Sequence, residues 1–559
     1  MGILRIAEPM AKPILTTVDE RGIVQETADV PGFRILVGAN AQVSVGTFAE
    51  LSQIKDSKME TGAIAYVGSR KGVFVLDKSS PLSAMTSSVA NTRSGVGKWV
   101  RSIAPNSHWA SQDLWFLDPV SGSDDNSGAA SGSAIKTLEE LTWRLSFLYQ
   151  GLPYLINLLN DVSGADKMCW NPIMLPRREG STTLGSGQRA SVVFQGMQTT
   201  VRTGTFTGAS TSTTVSAQAT ITDSNAGDWN LERDKLFHVT SGASSGTTGW
   251  IDENLGAGVC RVSSPLNSAA SGLAGGGFTG DYKVVELTKW NCDFVINAPF
   301  QSVIVRFKDI DFRSAANSLL ALYSTAICFF TRCKFVSTSG VPSILCTQGQ
   351  FVSCVFSSLA GTPTTPTTLQ MFKAAHLRVV YTLGCVMRSI TLEPFDSLIE
   401  INSDLLMVGG SRIRNCSSGA PSSGGKVLIM GFMHFFNWAG LSTADAAIVV
   451  RGEGSSVILA NGTNCGVNGQ CTASITYGLR VENGGKFLIH PTTTTPSLSG
   501  SLGEIIFEGG TKMIPVLTGS AAVPAEAICN SWAQWAAAPF NSNLVSYTTF
   551  GVIRRQLVS

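Results

Sequence analysis

Charge is scarce in this sequence. Of its 559 residues only 14% are Asp, Glu, Lys or Arg, and they balance to a formal net charge of +2. A nearly neutral chain offers no electrostatic reason to expect nucleic acid or an anionic membrane as partner, and no basic stripe interleaved with aromatics is present. A secretory leader is also missing, because MGILRIAEPMAKPILTTVDE contains no sufficient apolar core. Ile6 stands where a myristoylation signal needs Ser or Thr. The longest apolar run, Ser318 to Phe330, is too short and too polar to cross a bilayer. The expectation is a soluble protein made in a cytoplasm, with no membrane insertion.

Motifs of common chemistry are lacking too. There is no HExxH and no GxxxxGK[ST], and no GxGxxG opens a helix. The histidines His108, His238, His376, His434 and His490 are scattered without metal-ligand spacing. None of the 12 cysteines shows CxxC spacing, and Cys465 and Cys471 lie in the Gly- and Asn-rich NCGVNGQC. Most others sit in apolar strands, where a free thiol behaves as a small hydrophobe. Neither cofactor nor metal is expected.

Glycine, by contrast, is abundant at 57 residues, and Ser and Thr fill the gaps between apolar runs. That composition belongs to a β-rich chain with many turns. Its strongest pattern is FKDIDF, FTRCKF and FVSCVF, three copies of Phe-x-x-[Ile/Cys]-x-Phe. The central Ile310, Cys333 and Cys354 are 23 and then 21 residues apart. YTLGCVM adds Cys385 and Met387 after an inserted loop at 357–370, and SRIRN, centred on Ile413, reads as a weaker fifth copy. A period in the low twenties built from strands and turns indicates a parallel β-solenoid. Ile310/Phe312, Cys333/Phe335 and Cys354/Phe356 share strand parity, so they face inward and the thiols fill a narrow lumen. Asp309 and Asp311 precede Arg332 and Lys334 by one coil, so parallel stacking makes them an opposite-charge ladder rather than a catalytic pair.

The organisation along the chain follows. Residues 1–39 form an extended lead-in, and 40–112 a compact module with a capping box, Thr47 with Glu50, opening a short helix. Its succession of short helix, AYVG, GVFVLDKSS and GKWVR resembles the N-terminal, particle-proximal module of bacteriophage tailspikes and tail fibres. Residues 113–150 carry DPVSGSDDNSG and a following KT, similar to the opening sequence of right-handed parallel β-helix (pectin-lyase-like) proteins, including many phage spikes. Thr137 and Glu140 there cap a helix with Leu138, Leu141, Leu145 and Leu148 along one stripe, suited to covering the exposed first rung. Asp124, Asp125 and Asn126 read as turn residues rather than a calcium loop, lacking a downstream bidentate Glu. Residues 151–290 are early rungs or an inserted β domain, and 291–510 regular rungs. Residues 511–559 close the end, with Trp532 and Trp535 expected to pack in a homotrimer.

The fold class expected is therefore all-β: a right-handed single-stranded parallel β-helix with a small N-terminal α+β module. The resemblance implies a virion spike or fibre protein, held to other tail, baseplate or head proteins by its N-terminal part and recognising a host surface glycan. It also implies an alternative, since many such spikes cleave polysaccharide. That chemistry needs two carboxylates, and the candidates are Glu393, Asp396, Glu400 and Asp404 in TLEPFDSLIEINSD. A purely architectural virion role is the other alternative.

Overall fold

A left-handed residue recurs at three successive corners of the coils. In this computed structural model Asp309, Arg332 and Ser353 have φ of 57°, 48° and 53°, a conformation that costs a non-glycine residue about 1–2 kcal/mol. Each turns a corner between two strands: Val303–Lys308 and Ile310–Arg313, Ala321–Thr331 and Lys334–Ser337, Ser343–Val352 and Val355–Ser358. In a straight strand, residues five apart point to opposite faces. The corner removes that conflict, and both phenylalanines of every repeat are buried.

They form two stacks. Phe307, Phe330 and Phe351 lie 5.3 and 4.7 Å apart and within 10° of parallel. Phe312, Phe335 and Phe356 lie 5.1 and 4.9 Å apart at 9°. Across each corner the stacks meet tilted or edge-on at 5.3 Å. Each such pair contributes about 0.5–1.5 kcal/mol beyond its buried area. Trp290 tops both stacks, 6.1 Å from Phe307 and 5.9 Å from Phe312.

Beside them runs the thiol column. Asp311 pairs with Lys334, Lys334 with Val355 and Val355 with Val386, which brings Ile310, Cys333, Cys354 and Cys385 into line. All four are 0% exposed. The Cys333 and Cys354 thiols donate to the carbonyls of Phe307 and Phe330 at 3.4 and 3.5 Å, and the Cys354 N–H donates to Cys385 Sγ at 3.2 Å. Burial pushes the thiols of Cys333 and Cys354 well above their usual range.

The structure describes residues 42–54, 59–68, 72–80, 89–102, 112–163, 168–175, 189–210, 218–242, 244–263, 278–298, 303–313, 321–337, 343–358, 367–370, 376–379, 385–394, 398–401, 405–408, 411–416, 425–436, 446–452 and 454–459, together with short strands before and after them. It divides into two units: one holds 1–162, 168–194 and 297–303, the other 163–167, 195–296 and 304–559.

In the second unit each later coil has three strands. Ile390–Glu393, Leu398–Ile401 and Leu405–Val408 pair in parallel with Arg412–Cys416, Lys426–Ile429 and Phe432–Phe436 of the next. Ile413 therefore belongs to a different ladder from Cys385, whose successors are Leu405 and Met433. The span 357–370 is no simple loop, since Thr367–Gln370 is a ladder strand over Ile390–Glu393. Parallel pairing runs past 510, through Ala527–Cys529 and Val545–Tyr547. Trp532 and Trp535 lie outside the described residues.

An antiparallel sheet is built into the same unit. Gln198–Ser210, Gln218–Thr222, Val259–Ser263, Thr248–Gly256, Leu236–Val239 and Phe278–Asn291 follow one another across it. Its own core holds Phe206, Trp229, Phe237, Ile251 and Tyr282. The long strand Phe278–Asn291 belongs to both systems: its body pairs with Gln198–Ser210, and Thr288–Trp290 pairs in parallel with Ile310–Phe312. Gly196, just before this sheet, passes so near the Asp309 corner that a Cβ there would sit 2.1 Å from the Asp309 carbonyl.

In the first unit the lead-in forms short hairpins, among them Ala28–Val30 with Phe33–Ile35. A five-stranded sheet then surrounds Phe74, Leu76 and Trp99. Its helix Phe48–Leu51 has only part of the expected capping box: Thr47 makes no side-chain cap, and Glu50 accepts from Gly46 N–H at 2.9 Å. The helix Leu138–Arg144 is capped by Thr137, which accepts from Glu140 N–H. The Glu140 carboxylate instead takes Arg101 and Arg144, each at 2.6 Å and fully buried. Arg101 also lies 4.3 Å over the Trp143 ring, tying the module to the helix. Asp124 accepts from Lys136 N–H, Thr137 N–H and the Thr137 hydroxyl, the turn role its loop position requires.

Two outcomes are expected. Iodoacetamide will leave Cys333, Cys354 and Cys385 unmodified in the native protein and modify them in denaturant, read site by site by mass spectrometry. Ser353→Gly will hold or raise the denaturation midpoint, whereas Ser353→Val will lower stability by about 1–3 kcal/mol because a β-branched residue resists the left-handed corner.

Candidate functional site

The outward-facing positions between the stacked phenylalanines form a column of their own. In register it reads Lys289, Asp311, Lys334, Val355, Val386 and Leu406. Alternating charge gives way to apolar side chains at Val355. Over that apolar part the antiparallel sheet lays Leu236, Trp250, Val285 and Leu287, sealing one hydrophobic cluster. Trp250 Nε1–H donates to the Ser353 carbonyl at 2.9 Å, so the left-handed corner is itself part of the joint.

The next outward position is polar and equally buried. Arg388 Nε donates to Asp234 at 2.8 Å and its NH2 group to Asp252, while the Ser357 hydroxyl donates to Asp234 at 2.8 Å. Ser263 completes Asp252 at 2.9 Å. Burial resists ionisation of Asp234, but Arg388, Lys334 and the Ser357 hydroxyl outweigh it and hold the carboxyl below its ordinary range. Arg388 is raised further above its usual value, because the two aspartates overcome its own desolvation.

Where the apolar column ends and the charged one begins, a cavity of about 130 Å³ remains between sheet and coil. Arg233, Lys235, Lys289, Arg313 and Lys334 line it, against the acids Asp234, Glu286 and Asp311. The acids are already engaged: Asp234 by Arg388, Glu286 by Lys235 at 3.2 Å, and Asp311 Oδ2 by Arg313 at 2.8 Å. Burial disfavours the Glu286 carboxylate, yet the Lys235 hydrogen bond keeps it below its usual range. Arg233 is pulled below its usual value, first by burial and then by the neighbouring Arg388. Arg233 and Lys334 make no ion pair among the described residues. Asp311 is only 4% exposed, and its Oδ1 is buried without a hydrogen-bond partner. The lining is thus net cationic, five basic residues against three acids.

The predicted carboxylates fall elsewhere. Glu393 ends the strand Ile390–Glu393 in register with Gln370, and Glu400 lies in Leu398–Ile401 between Arg378 and Leu428. Both are half-buried, on separate ladders. Asp396 and Asp404 lie outside the described residues. Of the predicted charge ladder, Asp309 meets Arg332 at 2.7 and 2.8 Å. Asp311 is beside Lys334 in register but bonds Arg313. The cavity went unread in the sequence, although ERDKLF (Glu232 to Phe237) is a dense charge run in a chain otherwise poor in charge. The string GASSG, Gly242 to Gly246, has nucleophile-elbow spelling but lies between antiparallel strands, not on a strand-to-helix turn. Among the described residues there is no group of three His, Cys, Asp or Glu that could hold a metal, and no helix long and apolar enough to cross a membrane.

No protein-family model and no curated protein matches the chain. Among solved structures it is similar to the gp54 tailspike of Acinetobacter baumannii bacteriophage AP22, in complex with A. baumannii capsular saccharide. Identity is 10% over 66% of this chain and 72% of that one, with a TM-score of 0.21. It is also similar to the tailspike protein gp49 of Pseudomonas phage LKA1, at 13% identity over 66% and 70% of the chains and a TM-score of 0.20. Both of those proteins are phage tailspikes.

Arg388→Met strands Asp234 and Asp252 in the interior, so it will cost about 3–5 kcal/mol, measured by chemical denaturation. Adding Asp234→Asn and Asp252→Asn will recover much of that loss. Since the folded Asp234 carboxyl lies below its unfolded value, its contribution is complete above about pH 4 and fades as pH falls through the lower folded value. Limited proteolysis of the 198–288 segment will accordingly stay slow at pH 5–7 and accelerate in stronger acid.

Proposed function

We propose that the chain is a phage spike or fibre protein whose coil body recognises a polysaccharide on the host cell surface. The observation that carries this reading is the basic cavity on the flank of the stacked coils. A solenoid offers a rigid, extended surface, and a few convergent polar groups on it provide orientation and specificity. The N-terminal module, braced by Arg101 against Glu140, takes the particle-side role, with tail, baseplate or head proteins as its partners. The working form is a homotrimer.

Binding without cleavage is the expected behaviour. The full chain will retain purified bacterial capsular polysaccharides, the first class to try, and release no new reducing ends from them. Glu393→Gln combined with Glu400→Gln will leave retention unchanged. Reducing-end release abolished by that double variant would instead make the chain a depolymerase working through Glu393 or Glu400, and release abolished only by Asp396→Asn or Asp404→Asn one working through those aspartates. Failure to retain any capsular or lipopolysaccharide glycan, or to bind whole cells, would leave only an architectural virion role.

A further inference from the structure

We infer that the outer face of the coils carries an oxyanion site at Arg306 and Lys308, which takes the carboxylate or phosphate of an acidic host polysaccharide. The site rests on the polysaccharide reading and specifies the class of polymer.

The strand Val303–Lys308 alternates along its length. Val303, Val305 and Phe307 are fully buried in the lumen, while Ile304, Arg306 and Lys308 point outward, with Arg306 exposed. In the next coil Phe329 stands beside Arg306 in register, and Gln350 stands beside Phe329. Phe329 is only half-buried and also faces outward, since its neighbours Cys328 and Phe330 are fully buried. An aromatic ring on a solvated face needs cover, and the Arg306 guanidinium supplies it, 4.4 Å from the ring centroid. Stacking of this kind holds the planar group without occupying the N–H groups along its edge. Arg306 makes no hydrogen bond or ion pair among the described residues. Its side chain is thus ordered before a ligand arrives, so binding costs less conformational freedom.

Charge shows what the face lacks. From Phe294 to Phe372 the sequence has seven charged residues, five basic and two acidic. Both acids are taken: Asp309 accepts from Arg332 and Gln195, and Asp311 from Arg313. Asp309, next to Lys308 in sequence, is only 2% exposed. Of the three cations left over, Lys334 lines the cavity. Arg306 and Lys308 share the outer face, about 7 Å apart as alternate residues of one strand. The outward positions beside them in the two following coils, Ile327, Phe329, Thr331, Gln350 and Val352, are all uncharged. An anion from outside is the missing complement. A guanidinium fork matches two oxygens of one carboxylate or phosphate, which a neutral sugar does not offer. Two cations are too few to track the closely spaced phosphates of a nucleic acid.

The test uses the full chain and purified capsular polysaccharides, acid-bearing and neutral, with dextran and single-stranded DNA for comparison. The polymers retained are expected to bear acid groups. Each is then compared with its own carboxyl-reduced or phosphate-stripped form, which separates the two sources of oxyanion. Removing the acid will weaken binding roughly tenfold or more, the worth of one charge-assisted pair. Arg306→Ala will weaken it to a similar degree, and Arg306→Lys will recover only part, because an ammonium lacks the fork. Phe329→Leu will weaken binding by releasing Arg306, whereas Phe329→Tyr will keep it. Lys426→Ala, exposed on a different ladder, will leave retention unchanged. Unchanged melting curves will establish that the variants are folded; if Phe329→Leu unfolds, Arg306→Ala and the polymer pairs decide the matter.

Retention of neutral polymers alone, equal retention of the acid-free forms, or retention indifferent to Arg306→Ala overturns the site and leaves the recognition reading standing. Equal binding of single-stranded DNA overturns it too, since the face then attracts any polyanion. Retention of no polysaccharide, with no binding to whole cells, removes the recognition reading and the site with it.

Discussion

The left-handed corner is the constraint on which the rest of the described body depends. It lets a five-residue spacing of phenylalanines, which a straight strand would split between two faces, deliver both rings to one lumen. Once Phe307 and Phe312 are both inside, every neighbouring outward position is determined by register. The strain at Asp309, Arg332 and Ser353 is held by two continuous ring stacks, and individual pair energies near 1 kcal/mol suffice because they repeat along the column. Side chains and backbone at the corners are also put to use. Asp309 and Arg332 form a buried-to-surface ion pair, and the Ser353 carbonyl receives Trp250.

A face fixed in this way becomes a platform. The outward column changes from charged to apolar between Lys334 and Val355, and the antiparallel sheet docks on the apolar part alone. Its buried contact to Arg388 adds orientation more than stability, because desolvating two aspartates and an arginine consumes most of their attraction. Such a network tolerates one placement of the sheet, and a misplaced sheet would leave a charge unpaired. The cavity is the remainder, lying where the sheet overhangs the charged end of the column and cannot close on it. Binding chemistry and architecture here share residues: Asp234 bonds Arg388 behind the cavity while lining it in front.

Legibility in the sequence tracked the constancy of the repeat. Between Phe307 and Phe356 adjacent coils differ little in length, so identical chemistry recurs at nearly identical spacing and the ladder is visible by eye. After Phe356 the coils grow and shrink, which is why Ile413 looked like a further copy although it belongs to another ladder. The capping pattern at Thr137 was readable because the cap is local. The second half of that pattern was not, because Arg101, far away in sequence, competes for Glu140. Likewise Glu393 and Glu400 are close in sequence but stand on different strands, since the corner between them is invisible to spacing alone.

The sequence by itself determined that the chain stacks parallel coils, that its mid-body thiols are packing groups and that Asp309 pairs with Arg332. All three follow from local parity and a repeated interval. Only the tertiary structure decided which outward positions are covered and which remain open, because that depends on where a separate sheet comes to rest. Residues 233–236 and 285–287 of the sheet meet Asp311, Arg313 and Lys334 of the coils only through that docking. No periodicity encodes it, for it arises from apolar area and buried charge matched between segments that are distant along the chain.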